Sequence, residues 1–261
     1  MNTITIGATA VRKILSLTAM VVLGVAALAK PAQAVPITGH LALDGNGGTV
    51  TITANTIDWA PAGTGFGEFL VASSSTSSFA PLIGSTGDVR DLNTTDQPIG
   101  SLITPVNGNG YMTFDADPNI RFDLRFIYPG SESPADCGNP VAAAGQQCTL
   151  PGTPFNLTNN FGGSSTASFN IAGNVVNLGT GETSFFSGLY STTFSNMTFQ
   201  QIIAQISREG SVTTPYSGTF DVGVTGTPFD VPVPEPASLF LLGSGLMATA
   251  MRARKARRQK A

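Results

Sequence analysis

Acidic residues, two cysteines and a single histidine are the side chains in this chain that could do chemistry. A Ser–His–Asp triad would have to use His40, the only histidine, yet no Gly-x-Ser-x-Gly elbow is present. We therefore interpret His40 as a surface residue. The acids that lie close together in sequence form two groups, Asp88, Asp91 and Asp96, and Asp115 and Asp117.

Two chemistries fit such neighbouring acids. Calcium takes about six to eight oxygen ligands, which acidic loops supply, and a retaining glycosidase uses two carboxylates about 5–5.5 Å apart. The sequence contains no Asp-x-Asp-x-Asp-Gly loop, so neither chemistry has a specific motif. We favour turn-forming, solvated acids: catalytic residues are not assigned, no cofactor is predicted, and calcium is the one ion left open.

The remaining candidates are contacts for a polysaccharide or for ice. Trp59 is the only tryptophan; it or Tyr111 would suit stacking on a sugar, although a lone tryptophan is more often a core residue. Thr49, Thr51 and Thr53 form the one short threonine array. A strand face with Arg121, Asp123 and Arg125 is expected to pair across strands, with an acidic polysaccharide as the alternative.

The chain begins with the features of a secretory signal peptide. Arg12 and Lys13 precede an apolar run over 14–29, and Ala32-Gln33-Ala34 is a small-x-small cleavage site. We predict a signal peptide over 1–34, cleaved between Ala34 and Val35.

Charge separates the termini from the body. Three of the 13 basic residues lie in 1–34 and six in the last ten residues. Residues 35–231 keep four arginines against fifteen acids, a net charge of −11. Nucleic-acid binding needs clustered basic residues, so it is excluded as a function of the body.

The C-terminal segment has three parts in a fixed order. Residues 226–236 form a proline-rich linker that ends in Pro234-Glu235-Pro236, and proline excludes a helix there. Residues 237–251 carry no charge, and we predict a short transmembrane segment, marginal beside a hydrocarbon core of about 30 Å. The basic residues of 252–261 predict a cytoplasmic tail.

This arrangement resembles the PEP-CTERM sorting signal, also known as the ice-binding protein C-terminal domain. The resemblance rests on Val233-Pro-Glu-Pro-Ala-Ser-Leu, the Gly-interrupted apolar stretch and the arginine cluster. It implies export through the bacterial inner membrane as an anchored intermediate. An exosortase-type enzyme would then recognise Pro234, Glu235 and Pro236 and release the protein to the surface or matrix. The resemblance does not extend to the body.

Export bears on the cysteines. Cys137 and Cys148 are the only two, separated by ten residues. One histidine and the absence of a Cys-x-x-Cys pair argue against zinc, whereas an oxidising compartment favours a disulfide. We predict the disulfide Cys137–Cys148.

The body, 35–225, has the pattern of a mainly β domain. Residues 119–128 alternate strictly, with Phe126 and Tyr128 on the apolar face. Other strands are predicted at 41–53 (two, joined by a Gly/Asn turn), 67–72, 167–171, 174–178, 183–190 and 217–225. Spacing of i, i+3, i+4, i+7 predicts one helix over 196–208, ended by Gly210. Many short strands favour an antiparallel sandwich or jelly roll.

These observations lead to a functional hypothesis of a non-enzymatic, exported protein of the bacterial surface or biofilm matrix. Its partners would be an exosortase-type enzyme, the inner membrane through the C-terminal helix, and an extracellular polysaccharide. The first alternative is a carbohydrate- or ice-binding module, and the second is a glycan-acting hydrolase.

Overall fold

The computed structural model describes residues 36–60, 65–104 and 110–223, and this part of the chain is mainly β. The strands are β1 (Gly39–Asp44), β2 (Val50–Thr53), β3 (Thr56–Trp59), β4 (Phe66–Val71), β5 (Thr86–Arg90), β6 (Leu92–Asn93), β7 (Met112–Phe114), β8 (Ile120–Ile127), β9 (Gln147–Cys148), β10 (Asn156–Asn159), β11 (Ser165–Asn177), β12 (Thr183–Phe194), β13 (Ser211–Thr214) and β14 (Ser217–Val222). The described part also contains the α-helix α1 (Phe199–Glu209) and two 3₁₀ helices, Ser77–Leu82 and Pro134–Gly138.

Eight strands close into a barrel-like ring. Their order is β12-β14-β1-β4-β5-β7-β8-β11, and β11 pairs again with β12 along almost its whole length. Every pairing in the ring is antiparallel. The mainly β prediction is confirmed, but the main sheet closes on itself where the sequence favoured an antiparallel sandwich or jelly roll. Closure leaves none of these eight strands as an open edge.

A second sheet of four strands, here called the side sheet, has the order β13-β2-β3-β6. The turn at 45–49 therefore joins β1 of the ring to β2 of the side sheet. Both strands were predicted, and Val50 and Ile52 of β2 are buried. On the other flank, β10 and β9 extend the ring beside the N-terminal half of β11.

Inside the closed ring of strands, phenylalanine side chains lie directly opposite glycines on neighbouring strands. The cross-strand pairs are Phe69–Gly87, Phe186–Gly173 and Phe220–Gly188. All three phenylalanines have no exposed surface. A Cβ atom placed on Gly87 or Gly173 would lie 2.6 Å from the opposing ring, so these positions are small because the ring interior is already full.

The prediction for β8 was correct in its position and wrong at its end. Burial alternates from Ile120 to Leu124, but Ile127 is then buried while Phe126 is only half-buried and Tyr128 is exposed. The register with β11 shifts here, since Ala172 pairs with Phe126 and Gly173 pairs with Leu124. The bulge inserts one residue and so exchanges the two faces of the strand.

Helix α1 begins three residues later than predicted and ends one residue later, before the predicted Gly210. Gln201 Oε1 accepts a hydrogen bond from the backbone N–H of Thr198 at 2.8 Å, as in a capping box. Gly210 follows the last turn with φ +83°, the left-handed conformation that favours glycine at a helix C-terminus. Phe199 and Ile202 are the buried residues of the helix, and they pack it against the core.

The predicted signal peptide, linker, transmembrane segment and basic tail lie outside the described residues. Within 36–60, 65–104 and 110–223, no helix is long and apolar enough to cross a membrane.

We expect Gly188→Ala to destabilise the protein by about 2 kcal/mol. The added methyl group would overlap the Phe220 side chain and overpack the interior. Ser187→Ala on the same strand is the control, since Ser187 is exposed. Chemical denaturation measures both. Equal stability of the two variants would contradict the proposed packing of rings over glycines.

Candidate functional site

His40 and the acids do not converge on a catalytic centre within the described residues. His40 pairs across strands with Asp221, Nδ1 to Oδ1 at 2.8 Å, and both side chains are exposed. This places the histidine on the outer surface of the ring, as the sequence predicted.

The fold gives these acids separate hydrogen-bond partners, although it brings Asp88 of the first group near Asp115 of the second. Asp91 accepts a hydrogen bond from the backbone N–H of Trp59 at 2.9 Å, whereas Asp96 accepts one from Asn93 Nδ2 at 2.8 Å. Asp115 accepts from the Thr86 hydroxyl. These acids therefore stabilise turns and strand junctions. Among the described residues, no group of three or more His, Cys, Asp or Glu side chains is placed to hold a metal ion.

One acidic contact stands out on the outer face of the ring. Asp88 on β5 lies directly opposite Glu68 on β4. Partial burial raises the pKa of Asp88 above its usual value, and repulsion from Asp115 and Glu68 raises it further. The charged form of Asp88 is thus unfavourable in the folded protein.

The candidate sugar-stacking rings are both in the core. Trp59 is 1% exposed, and its Nε1 donates to the carbonyl oxygen of Arg90 at 3.1 Å. Its ring packs on Tyr190 and Tyr216, with centroids 4.7 and 4.6 Å away. Tyr111 is 4% exposed. Burial removes these aromatic platforms from the carbohydrate-binding alternative.

Side chains of the threonine array and of the charged strand face also interact with other side chains of the protein. The hydroxyl of Thr51 bonds that of Thr213 at 3.0 Å, and the hydroxyl of Thr53 bonds that of Thr56 at 2.8 Å. Arg121 Nε lies 2.9 Å from Asp123 Oδ1 on its own strand. This ion pair joins residues i and i+2, which share one face of β8. The expected pairing across strands stays a prediction.

The disulfide prediction is confirmed. Cys137 and Cys148 are bonded, with their Cα atoms 5.2 Å apart. The bond ties the second 3₁₀ helix to β9, and Cys148 is fully buried. It thereby closes a loop that contains Gln146.

The disulfide loop is also fastened to helix α1 by amide side chains. Asn159, 2% exposed, donates from Nδ2 to Gln146 Oε1 at 3.2 Å and to Gln200 Oε1 at 3.0 Å. Its Oδ1 accepts the backbone N–H of Phe199 at 2.9 Å. The start of the helix, the disulfide loop and β10 are therefore held as one unit.

An apolar cavity of about 500 Å³ lies between the side sheet, helix α1 and the flank of the ring. Ile52 and Ile57 line it from the side sheet, Ile203 and Ile206 from the helix, and Leu157 from β10. Residues 150–155 complete the wall. This volume is within the range of small-molecule binding sites, about 300–1,000 Å³.

The cavity wall carries no charge. None of the described residues that line it is Asp, Glu, Lys, Arg or His. Gln97 is the buried polar side chain of the wall, 8% exposed, and its Oε1 accepts the backbone N–H of Asn93 at 2.9 Å. The cavity has no signature in the sequence, because its residues come from eight separated segments that only the fold brings together.

Comparison with known families identifies the tail and not the body. The family model described as the PEP-CTERM protein-sorting motif matches residues 232–255. This match confirms the resemblance found in the sequence, and such a motif implies an exported protein processed by an exosortase-type membrane enzyme. No curated protein and no solved structure matches the chain.

The match includes Pro234, Glu235 and Pro236, but these residues, like Ala34 and Val35, lie outside the described part of the structure. Recognition of the three sorting residues and cleavage between Ala34 and Val35 stay predictions.

Replacing Cys137 by Ser is expected to lower the free energy of unfolding by roughly 3 kcal/mol, because opening the loop restores chain entropy to the unfolded state. Val141→Ser in the same loop is the control, since Val141 is 69% exposed. Denaturant titration measures the difference, and equal midpoints for the two variants would show that the disulfide does not stabilise the fold.

Asp88→Asn is expected to stabilise the protein at pH 7 by at most about 0.5 kcal/mol, since it removes like-charge repulsion at a solvent-screened site. Because the pKa of Asp88 is raised in the folded protein, its carboxylate destabilises the fold fully at pH values above that raised pKa. The destabilisation is absent below the unfolded value of 3.8. Thermal melts at pH 7 and at about pH 3 test this. A gain of equal size at both pH values would rule out a charge effect.

Proposed function

We propose that this protein is an exported, non-enzymatic component of the bacterial surface or extracellular matrix that is sorted through its C-terminal tail. The observation that carries the proposal is the sorting motif at residues 232–255. Its three parts occur in the order that anchoring and release require: a proline-rich recognition site, an apolar segment and a basic tail.

The proposed route explains the distribution of charge. Basic residues concentrate in the two terminal segments, which would face the cytoplasm during export, in agreement with the positive-inside rule. The body has a net charge of −11 and contains no lysine. An acidic, lysine-free body that loses both basic termini would leave the cell as a soluble polyanion.

The disulfide is also consistent with a location outside the cytoplasm. Disulfides persist in oxidising surroundings there, and Cys137–Cys148 joins the second 3₁₀ helix to β9. The body would therefore reach its full stability only after export.

A non-enzymatic role is supported by the placement of ionisable groups. The carboxylates are spread over turns and the outer face of the ring, and the cavity wall has no ionisable side chain. General acid–base catalysis needs such a group within hydrogen-bond reach of the reacting atom. A binding or structural role in a matrix makes no such demand.

We expect the double substitution Glu235→Ala, Pro236→Ala to stop release of the protein from its host's membranes. Asp230→Ala is the matched control, because it removes an acid from the same linker outside the motif. The intact mass of the protein is measured in the culture supernatant and in the membranes. For the unaltered chain we expect a supernatant species that starts near Val35 and ends at residues 234–236.

A membrane species of the unaltered chain that retains residues 252–260 would contradict the proposal, since the tail would then be a lasting anchor. Release of the double variant as efficient as that of the control would show that another site is recognised.

A further inference from the structure

The side chains that line the cavity are large and apolar but incompletely covered by protein. Ile99, Phe155, Ile203 and Ile206 pack against the core as partly buried residues, and all four line the cavity. Elsewhere protein interiors are packed to the density of organic crystals. The surface that these side chains leave uncovered therefore faces a space of about 500 Å³ that no described side chain fills.

Water is a poor occupant of such a space. A buried water molecule needs two to four polar partners, and an apolar cavity offers few. Most of the wall is Ile, Leu, Val, Phe, Pro and Ala, with short Thr and Asn side chains near residues 53–56 and 93–94. Displacement of poorly bonded water by an apolar group is favourable.

The charge of the wall decides the class of occupant. Burial of an ionised group without a partner is strongly unfavourable, and no described residue of the wall offers an opposite charge. A carboxylate, phosphate or ammonium group is thereby excluded from the interior of the cavity. An occupant that lies wholly inside the cavity is therefore expected to be neutral.

Gln97 supplies a side-chain hydrogen-bond donor at the cavity wall. Its Oε1 is fixed as the acceptor by the backbone N–H of Asn93, which sets Nε2 as the free end. The described residues provide no acceptor for Nε2, and the side chain is 8% exposed and lines the cavity. A ligand oxygen would satisfy this group.

From these observations we propose that the cavity binds a neutral, lipid-like molecule with a single aliphatic chain and one oxygen acceptor, such as a fatty alcohol or ester. The aliphatic chain contacts the isoleucines of helix α1 and the side sheet, and the oxygen accepts a hydrogen bond from Gln97 Nε2. The disulfide loop and Asn159 hold the helix wall in place. The inference does not depend on the sorting proposal.

The test uses the full chain expressed in its own host and purified in whichever processed form accumulates. The probe is N-phenyl-1-naphthylamine, a neutral dye that fluoresces in apolar sites, and the competitors are 1-dodecanol and dodecanoate at pH 8. We expect saturable dye binding that dodecanol reverses. Dodecanoate should compete at least about tenfold more weakly, since its charge has no partner.

Two variants locate the site. Ile206→Trp fills the space and should weaken dye binding at least about tenfold, whereas Ala204→Trp is the control because Ala204 is exposed on the same helix and lies outside the cavity wall. Ile203→Trp is a second filling variant if the first does not fold. Circular dichroism verifies the fold of each.

Gln97→Met keeps the length of the side chain and removes the donor. It should weaken dodecanol several-fold, in line with one lost hydrogen bond, and leave dye binding unchanged. Absence of saturable dye binding, equal binding by Ile206→Trp and Ala204→Trp, or equal competition by dodecanol and dodecanoate would each overturn the proposal. An unchanged dodecanol affinity in Gln97→Met would overturn the role of the amide.

Discussion

The structure depends on the packing of aromatic rings over glycines inside the closed ring of strands. Phe69, Phe186 and Phe220 each occupy the space above a glycine on the neighbouring strand. A small ring of strands has little room for side chains, so large residues must alternate with small ones. With this interior filled, Trp59 and Tyr190 join the same aromatic cluster and connect the ring to the side sheet.

The side sheet and helix α1 are attached to the ring less tightly than the strands of the ring are to one another. Their apolar faces are buried, but a space of about 500 Å³ remains between them and the flank of the ring. The disulfide Cys137–Cys148 and the amide contacts of Asn159 fix the edge of this arrangement. One border of the cavity is thus held by a disulfide and by buried hydrogen bonds, and binding sites are usually largely preformed.

The termini and the body of this protein carry different kinds of information. A matched motif at residues 232–255 gives a destination, and its chemistry is local, because proline, an apolar run and a basic cluster act through their order along the chain. The body has no counterpart among the comparisons, so its role rests on geometry alone. Its two distinguishing features are a charge-free cavity among the described residues and an acidic, lysine-free sequence.

The sequence alone determined the features that depend on neighbouring residues. The sorting motif, the disulfide, helix α1 with Gly210 and most strand positions follow from spacing and composition. The burial of Trp59 was also favoured by the sequence, since a lone tryptophan is more often a core residue. Tertiary structure decided what pairs with what: the closure of β11 on β12, the assignment of β1 and β2 to different sheets, and the bulge that turned Ile127 inward. The cavity belongs to this second group, because Gln97, Ile57 and Ile206 are brought to one wall only by long-range strand pairing, which leaves no local pattern in the chain.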